Sequence, residues 1–206
     1  MRRIALALMV VGTTLLGAGT AQAGVLTSSG GIMSYVANQG ERNDVLVSAS
    51  SLFGGTVQVY TVKDLDANPI TAVPPCEFLN GVASCMQAGV SSFIVDVRDR
   101  DDTAEIADGI GIGALLIGGR GNDTLLGGPA GDILKGNDGR DSLRGREGVD
   151  VYLGGRGRDN LQTLDGIRDG RISCGDGNGD IVRKDAIDPR GLHCEFSNHK
   201  NPSKPH

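Results

Sequence analysis

Apolar residues recur with a period of nine between Gly118 and Gln162. Leu125, Leu134, Leu143, Tyr152 and Leu161 hold the same place in five consecutive nonapeptides: GGRGNDTLL, GGPAGDILK, GNDGRDSLR, GREGVDVYL and GGRGRDNLQ. Two residues before each stands an aspartate, at Asp123, Asp132, Asp141, Asp150 and Asp159. The glycine-rich first half of each unit permits positive φ and close backbone approach, and the last three residues, with one apolar side chain facing inward, predict a short strand. A flexible glycine-rich linker would not keep aspartate and apolar residues in phase. Upstream, from Gly24 to Asp96, short alternating stretches such as SYVAN, DVLVSAS, TVQVYTV and SFIVDV are separated by Gly, Asn and Pro turns, which predicts further β-strands.

The consensus of the five units, G-G-x-G-x-D-x-U-x with U apolar, resembles the repeats-in-toxin (RTX, hemolysin-type) calcium-binding nonapeptide family. The resemblance implies an all-β fold, a right-handed parallel β-roll with an N-terminal β-rich cap or extension. Two nonapeptides would make one coil, so that repeats i and i+2 stack. It also implies Ca²⁺ between stacked turns, held by Asp123, Asp132, Asp141, Asp150 and Asp159 with backbone carbonyls near Gly119, Gly121, Asn137, Gly139, Gly155 and Gly157. Such an oxygen-only shell suits a hard cation. On this geometry the complete sites pair Asp123 with Asp141, Asp141 with Asp159, and Asp132 with Asp150. One apolar side chain per nine residues makes a thin core, so ladder hydrogen bonds or bound ions must supply much of the stability.

The repeats depart from the consensus in places. Repeat two carries Pro129 and Ala130, repeat three has Asn137 and repeat four has Arg146 at the second position, and Tyr152 replaces an aliphatic residue. Seven basic residues balance seven acidic ones between 118 and 162. The segment should therefore repel itself apart less, without metal, than a strongly acidic array. Weaker echoes flank it. GIGIGALLI (109–117) keeps the rhythm but has Ala114 in the aspartate position. RDRDDTAEI (98–106) brings Asp99, Asp101 and Asp102 together, and GDGNGDIV (175–182) puts Asp180 and Val182 in phase, so Asp99, Asp102 and Asp180 are candidates for further metal. An EF-hand reading of the last stretch fails, because Ile181 stands where glycine is required and Ile187 where the bidentate Glu belongs.

The N-terminus, with Arg2 and Arg3, an apolar run from Ile4 to Leu16 and then Ala21-Gln22-Ala23, predicts a secretory signal cleaved after Ala23. The run is too short to span a bilayer, so no membrane span is expected in the mature chain. Four cysteines allow three pairings, and no C-x-x-C suggests zinc. A solenoid separates its ends, which favours nearest neighbours: Cys76 with Cys85, and Cys174 with Cys194. The expected organisation is a signal peptide (1–23), a β-rich section (24–117), the repeats (118–162), a disulfide-bonded C-terminal cap (163–196) and a disordered tail (197–206). The net charge of −5, the absence of any basic run and an aromatic content of 3% argue against nucleic acid as a partner. The chain reads as a secreted, non-catalytic calcium-binding protein that presents a surface to cell wall, matrix or another protein. The alternative is a secreted hydrolase carrying the repeats as an appendage. It finds little support, since HExxH and GxSxG are absent and all three histidines, His193, His199 and His206, lie at the C-terminal end.

Overall fold

The computed structural model describes residues 24–52, 57–65, 70–79, 82–86, 89–194 and 196–199. No helix occurs among them. The N-terminal strands are β1 (Gly24–Ser29), β2 (Ile32–Ala37), β3 (Asp44–Leu52), β4 (Val57–Asp64), β5 (Thr71–Ala72), β6 (Cys76–Leu79) and β7 (Val82–Met86). They are followed by β8 (Ser92–Asp96), β9 (Thr103–Ile106), β10 (Ala114–Arg120), β11 (Thr124–Leu126), β12 (Ile133–Gly139) and β13 (Ser142–Arg144). The last five are β14 (Val151–Gly157), β15 (Asn160–Thr163), β16 (Arg171–Asp176), β17 (Ile181–Lys184) and β18 (Phe196–His199).

These strands form two facing sheets of a parallel β-solenoid. One sheet runs in the order β16-β14-β12-β10-β8-β2-β1-β5, the other β18-β17-β15-β13-β11-β9-β3-β4-β7-β6. From β8 to β17 successive strands alternate between the sheets, and each of β8 to β15 pairs in parallel with the strand two places later. The N-terminal section both extends and caps this stack. It extends it through β2 and β3, which pair in parallel with β8 and β9. It caps it through β1 against β2 and β4 against β3, both antiparallel. Tyr60 on β4 packs edge-on against Phe93 of β8, with ring centroids 5.2 Å apart.

Strand alternation sends every second side chain into the space between the sheets. One file of inward residues is Tyr35, Val95, Leu116, Leu134, Tyr152 and Ile172; the facing file is Val45, Ala104, Leu125, Leu143, Leu161 and Val182. All twelve are buried. The five positions singled out by the nine-residue period, Leu125, Leu134, Leu143, Tyr152 and Leu161, are all 0% exposed.

The solenoid overruns the 118–162 array at both ends. β8 and β9 stack beneath it and β16 and β17 above it in unbroken register, although neither pair follows the glycine consensus throughout. The disulfides join Cys76 to Cys85 and Cys174 to Cys194. The first ties β6 directly across to β7; the second holds the segment after β17 against β16, where Leu192 bridges Ser173. The tail expected to be disordered from residue 197 instead begins inside β18, which pairs in parallel with β17 because the last coil leaves its sheet edge open there. Residues 200–206 and residues 1–23, where a secretory signal is expected from the sequence, lie outside the described residues.

Because each inward side chain is sealed by its counterparts in the coils on either side, Leu143→Ala should open a cavity and lower stability by about 2 to 5 kcal/mol. Val149→Ala, at a residue 59% exposed, should change it little. Chemical denaturation of both variants in the same buffer checks the contrast.

Candidate metal centre

The turns between the sheets fall on two edges of the solenoid, and the position-six aspartates stack along both. On the first edge, which carries repeats one, three and five, each aspartate N–H donates to Oδ1 of the aspartate one coil further on. Asp102 donates to Asp123 at 2.9 Å, Asp123 to Asp141 at 2.8 Å, Asp141 to Asp159 at 2.9 Å and Asp159 to Asp180 at 2.8 Å. Asn43 heads the row, donating its N–H to Asp102 at 2.7 Å. The Asp carbonyls run the opposite way, accepting from Thr124, Ser142, Asn160 and Ile181, each at 2.8 Å. The carboxylates are thus held rigidly and are almost wholly buried. Oδ2 of Asp102, Asp123, Asp141 and Asp159 has no hydrogen-bond partner. A buried carboxylate oxygen left without a donor is strongly unfavourable unless a cation or proton satisfies it.

The second edge, with repeats two and four, carries the same ladder but a different chemistry. Ala114 donates to Asp132 at 2.7 Å, Asp132 to Asp150 at 2.7 Å, Asp150 to Asp169 at 3.1 Å and Asp169 to Asp188 at 3.1 Å. Here Oδ2 of Asp132 accepts the Gly128 N–H at 2.7 Å, and Oδ2 of Asp150 accepts the Tyr152 hydroxyl at 3.3 Å. The Tyr152 oxygen in turn accepts the Gly145 N–H at 3.1 Å. The pairing of Asp132 with Asp150 expected from the repeats therefore meets carboxylates that protein donors already satisfy.

Backbone shape on the first edge brings carbonyls and carboxylates close together. Gly119, Gly121, Asn137, Gly139, Gly155 and Gly157 all have positive φ, from 76° at Asn137 to 148° at Gly139. A Cβ on Gly139 or Gly157 would collide with the carbonyl of Gly121 or Gly139 in the coil before, so only glycine lets the turns stack this closely. At the first position a Cβ on Gly136 would strike Oδ2 of Asp141 and come 2.5 Å from the Gly154 carbonyl. The unpartnered carboxylate oxygens and backbone carbonyls thus converge where the consensus keeps side chains out, and an all-oxygen group of this kind fits Ca²⁺.

Outside the ladder, the third residue of each turn on the first edge alternates in sign: Asp99, Arg120, Asp138, Arg156 and Asp176 are neighbours in register. Arg156 lies 3.6 Å from Asp138. Arg120 and Arg156 therefore join an exposed rim and do not enter the aspartate row, whereas Arg146 of repeat four pairs with Glu105 and Asp108.

The structure brings Asp102 and Asp180 into the first row with Asp123, Asp141 and Asp159, across insertions that stretch the 18-residue spacing to 21. Asp99 stands apart at the third position, where its carboxylate accepts the Gly40 N–H at 2.8 Å. Arg98 and Arg100, with φ of 70° and 85°, take the places that glycines fill in repeat one. Positive φ is uncommon for such residues, so VRDRDDTAE (97–105) is a full turn of the array without its glycines. Sequence reasoning missed Asn43, Asp169 and Asp188. The 19-residue steps from Asp150 to Asp169 and from Asp169 to Asp188 were the available signal for the last two.

Burial pushes these carboxylates well above the ordinary 3.8, to about 7 at Asp123, Asp150, Asp159 and Asp169 and to about 6 at Asp102, Asp132 and Asp141. The ladder N–H groups oppose the shift in every case. The folded chain without metal therefore holds protons that the unfolded chain releases near 3.8, at about 1.4 kcal/mol per unit of displacement. Their contribution to stability is complete below that value and is lost as pH rises through about 6 to 7. In EDTA the melting temperature should fall between pH 4 and pH 8. In saturating Ca²⁺, which needs the ionised carboxylates, the fall should disappear or reverse. Calorimetric melting across this range checks both.

A family model for the RTX calcium-binding nonapeptide repeat, in four copies, matches residues 115–130 and 126–161. No curated protein and no solved structure matches the chain. The matched stretch carries β10 to β15, with the central members of both aspartate rows. Between residues 115 and 161 the chain therefore carries RTX calcium-binding nonapeptide repeats, and its cofactor is Ca²⁺.

Proposed function

We propose that the chain is a secreted, non-catalytic calcium-binding protein whose first solenoid edge takes up Ca²⁺ between successive turns, and whose stiffened sheets serve as an interaction surface for cell wall, matrix or another protein. The observation that carries this reading is the row of buried, unpartnered Oδ2 atoms at Asp102, Asp123, Asp141 and Asp159. Each ion would lie between two aspartates of the row, with carbonyls near Gly119, Gly121, Asn137, Gly139, Gly155 and Gly157 completing its shell. Asp123 with Asp141 and Asp141 with Asp159 are the central pairs; Asp102 and Asp180 would extend the row at its ends. Asp132 and Asp150 face each other across the second edge with their second oxygens engaged by Gly128 and Tyr152, so that interval would hold no ion.

Export is supported by two disulfides, which persist in oxidising compartments. A non-catalytic role is supported by the composition of the rows: carboxylates committed to backbone hydrogen bonds are poorly placed to exchange protons with a substrate.

For extracellular affinities, with Kd of about 10⁻⁴ to 10⁻³ M, 10 mM Ca²⁺ adds about 1.4 to 2.7 kcal/mol per site. Melting should rise accordingly with Ca²⁺ and much less with Mg²⁺, which gives up its water reluctantly. Asp141→Asn should remove two ions from the calorimetric stoichiometry, Asp159→Asn at least one, and Asp132→Asn none. Identical melting in EDTA and in Ca²⁺ would sink the reading, and equal ion losses in Asp141→Asn and Asp132→Asn would overturn its assignment to one edge.

A further inference from the structure

Past the matched repeats, the turn from Leu164 to Gly170 lacks the glycine consensus. Counted back from Asp169, its second position is Asp165, a carboxylate where three of the five repeats have glycine and the others Asn137 and Arg146. Asp150, Asp165 and Asp169 each bring one carboxylate oxygen within 4.8 Å of the others. Asp150 already accepts the Tyr152 hydroxyl on Oδ2, but its two neighbours here each keep an oxygen without a donor, unlike the interval between Asp132 and Asp150, where both second oxygens are engaged. Asp169 is only 3% exposed; its Oδ1 accepts the Asp150 N–H, and its Oδ2 has no partner. Asp165 is similar: Oδ1 accepts the Ile167 N–H at 2.7 Å, while the buried Oδ2 has none. The buried ammonium of this corner, Lys184, does not neutralise the group. Its Nζ donates to the backbone carbonyls of Asp185 and Asp188, at 3.1 and 3.2 Å.

We propose that Asp150, Asp165 and Asp169 form a separate divalent-cation site that closes the second edge at its C-terminal end. Three converging carboxylates repel one another unless a cation lies among them, and oxygen ligands alone select a hard ion such as Ca²⁺. The proposal rests on the calcium reading of the repeats for the identity of the ion, whereas the ligand set lies partly outside them. The site makes a staple. The turn that carries Asp165 is bonded onward through the Asp165 and Gly166 N–H groups to Oδ2 of Asp185, at 3.0 and 2.7 Å, and Asp169 donates to Asp188. An ion held by Asp150 and Asp165 thus fastens the turn after β17 to repeat four.

Asp165→Asn tests this cleanly, because the amide oxygen still accepts the Ile167 N–H and only the charged ligand is lost. In calcium titration calorimetry of the full chain, the variant should bind one ion fewer than the unaltered protein, with the same circular dichroism in EDTA. Terbium(III) gives a second readout. The Tyr152 hydroxyl lies 3.3 Å from Oδ2 of Asp150, so an ion in this corner is excited through that ring, and tyrosine-sensitised emission should drop in Asp165→Asn. An unchanged ion count or unchanged emission overturns the site alone. An unaltered protein that binds no calcium overturns both this site and the calcium reading of the array.

Discussion

The structure depends on one hydrogen bond repeated from coil to coil, the aspartate N–H of one turn donating to the aspartate Oδ1 of the next. The bond fixes the height and rotation of each coil on its neighbour. It also fixes the second carboxylate oxygen, which has no freedom to swing out into water. The residue that sets the spacing of the solenoid therefore also creates its uncompensated charge. A fold built this way is preorganised for a cation, since the ligands are immobilised by structure before any ion arrives and little ordering remains to oppose binding.

The two edges share this bond and differ in what surrounds it. On the second edge Pro129 and Ala130 occupy the turn of repeat two, and neither Gly128 nor Ala130 adopts the positive φ found at the equivalent places on the first edge. The Gly128 N–H turns instead to Asp132. In repeat four the longer Tyr152 reaches Asp150, which a leucine in the same file would not. Departures from the consensus that look like erosion of the repeat thus coincide with the places where protein donors occupy the second carboxylate oxygen. One edge leaves the second carboxylate oxygens of Asp102, Asp123, Asp141 and Asp159 without protein donors, and the other engages those of Asp132 and Asp150 before the Asp165 turn.

Both rows were legible in the sequence over the five regular repeats, because glycine, aspartate and leucine recur there at fixed intervals and each answers to one physical demand. Beyond that period the inward files could be extended by eye only where an echo kept the phase, as GDGNGDIV does at Val182. The coils continue there with Arg98 and Arg100 in glycine conformations and with insertions before Asp123 and Asp180, and composition gave no sign that the backbone shape persists. Asp169 and Asp188 escaped notice because a coil one residue longer breaks a strict nine-residue count while leaving the ladder intact. The closure of Asp132 and Asp150 was invisible for another reason: it depends on where one N–H and one hydroxyl point, which no spacing records.

The row Asp99, Arg120, Asp138, Arg156 and Asp176 bears on how such an array finds its proper order. Coils with nearly identical inner faces are interchangeable as far as the apolar files are concerned, and a chain that skipped a coil would still bury leucine on leucine. On the rim it would not go unpunished, since skipping one coil sets Asp99 against Asp138 or Arg120 against Arg156, like charge on like. Alternating sign thus works as a parity check on coil succession, discriminating against a misassembled solenoid by repulsion where attraction alone would accept it.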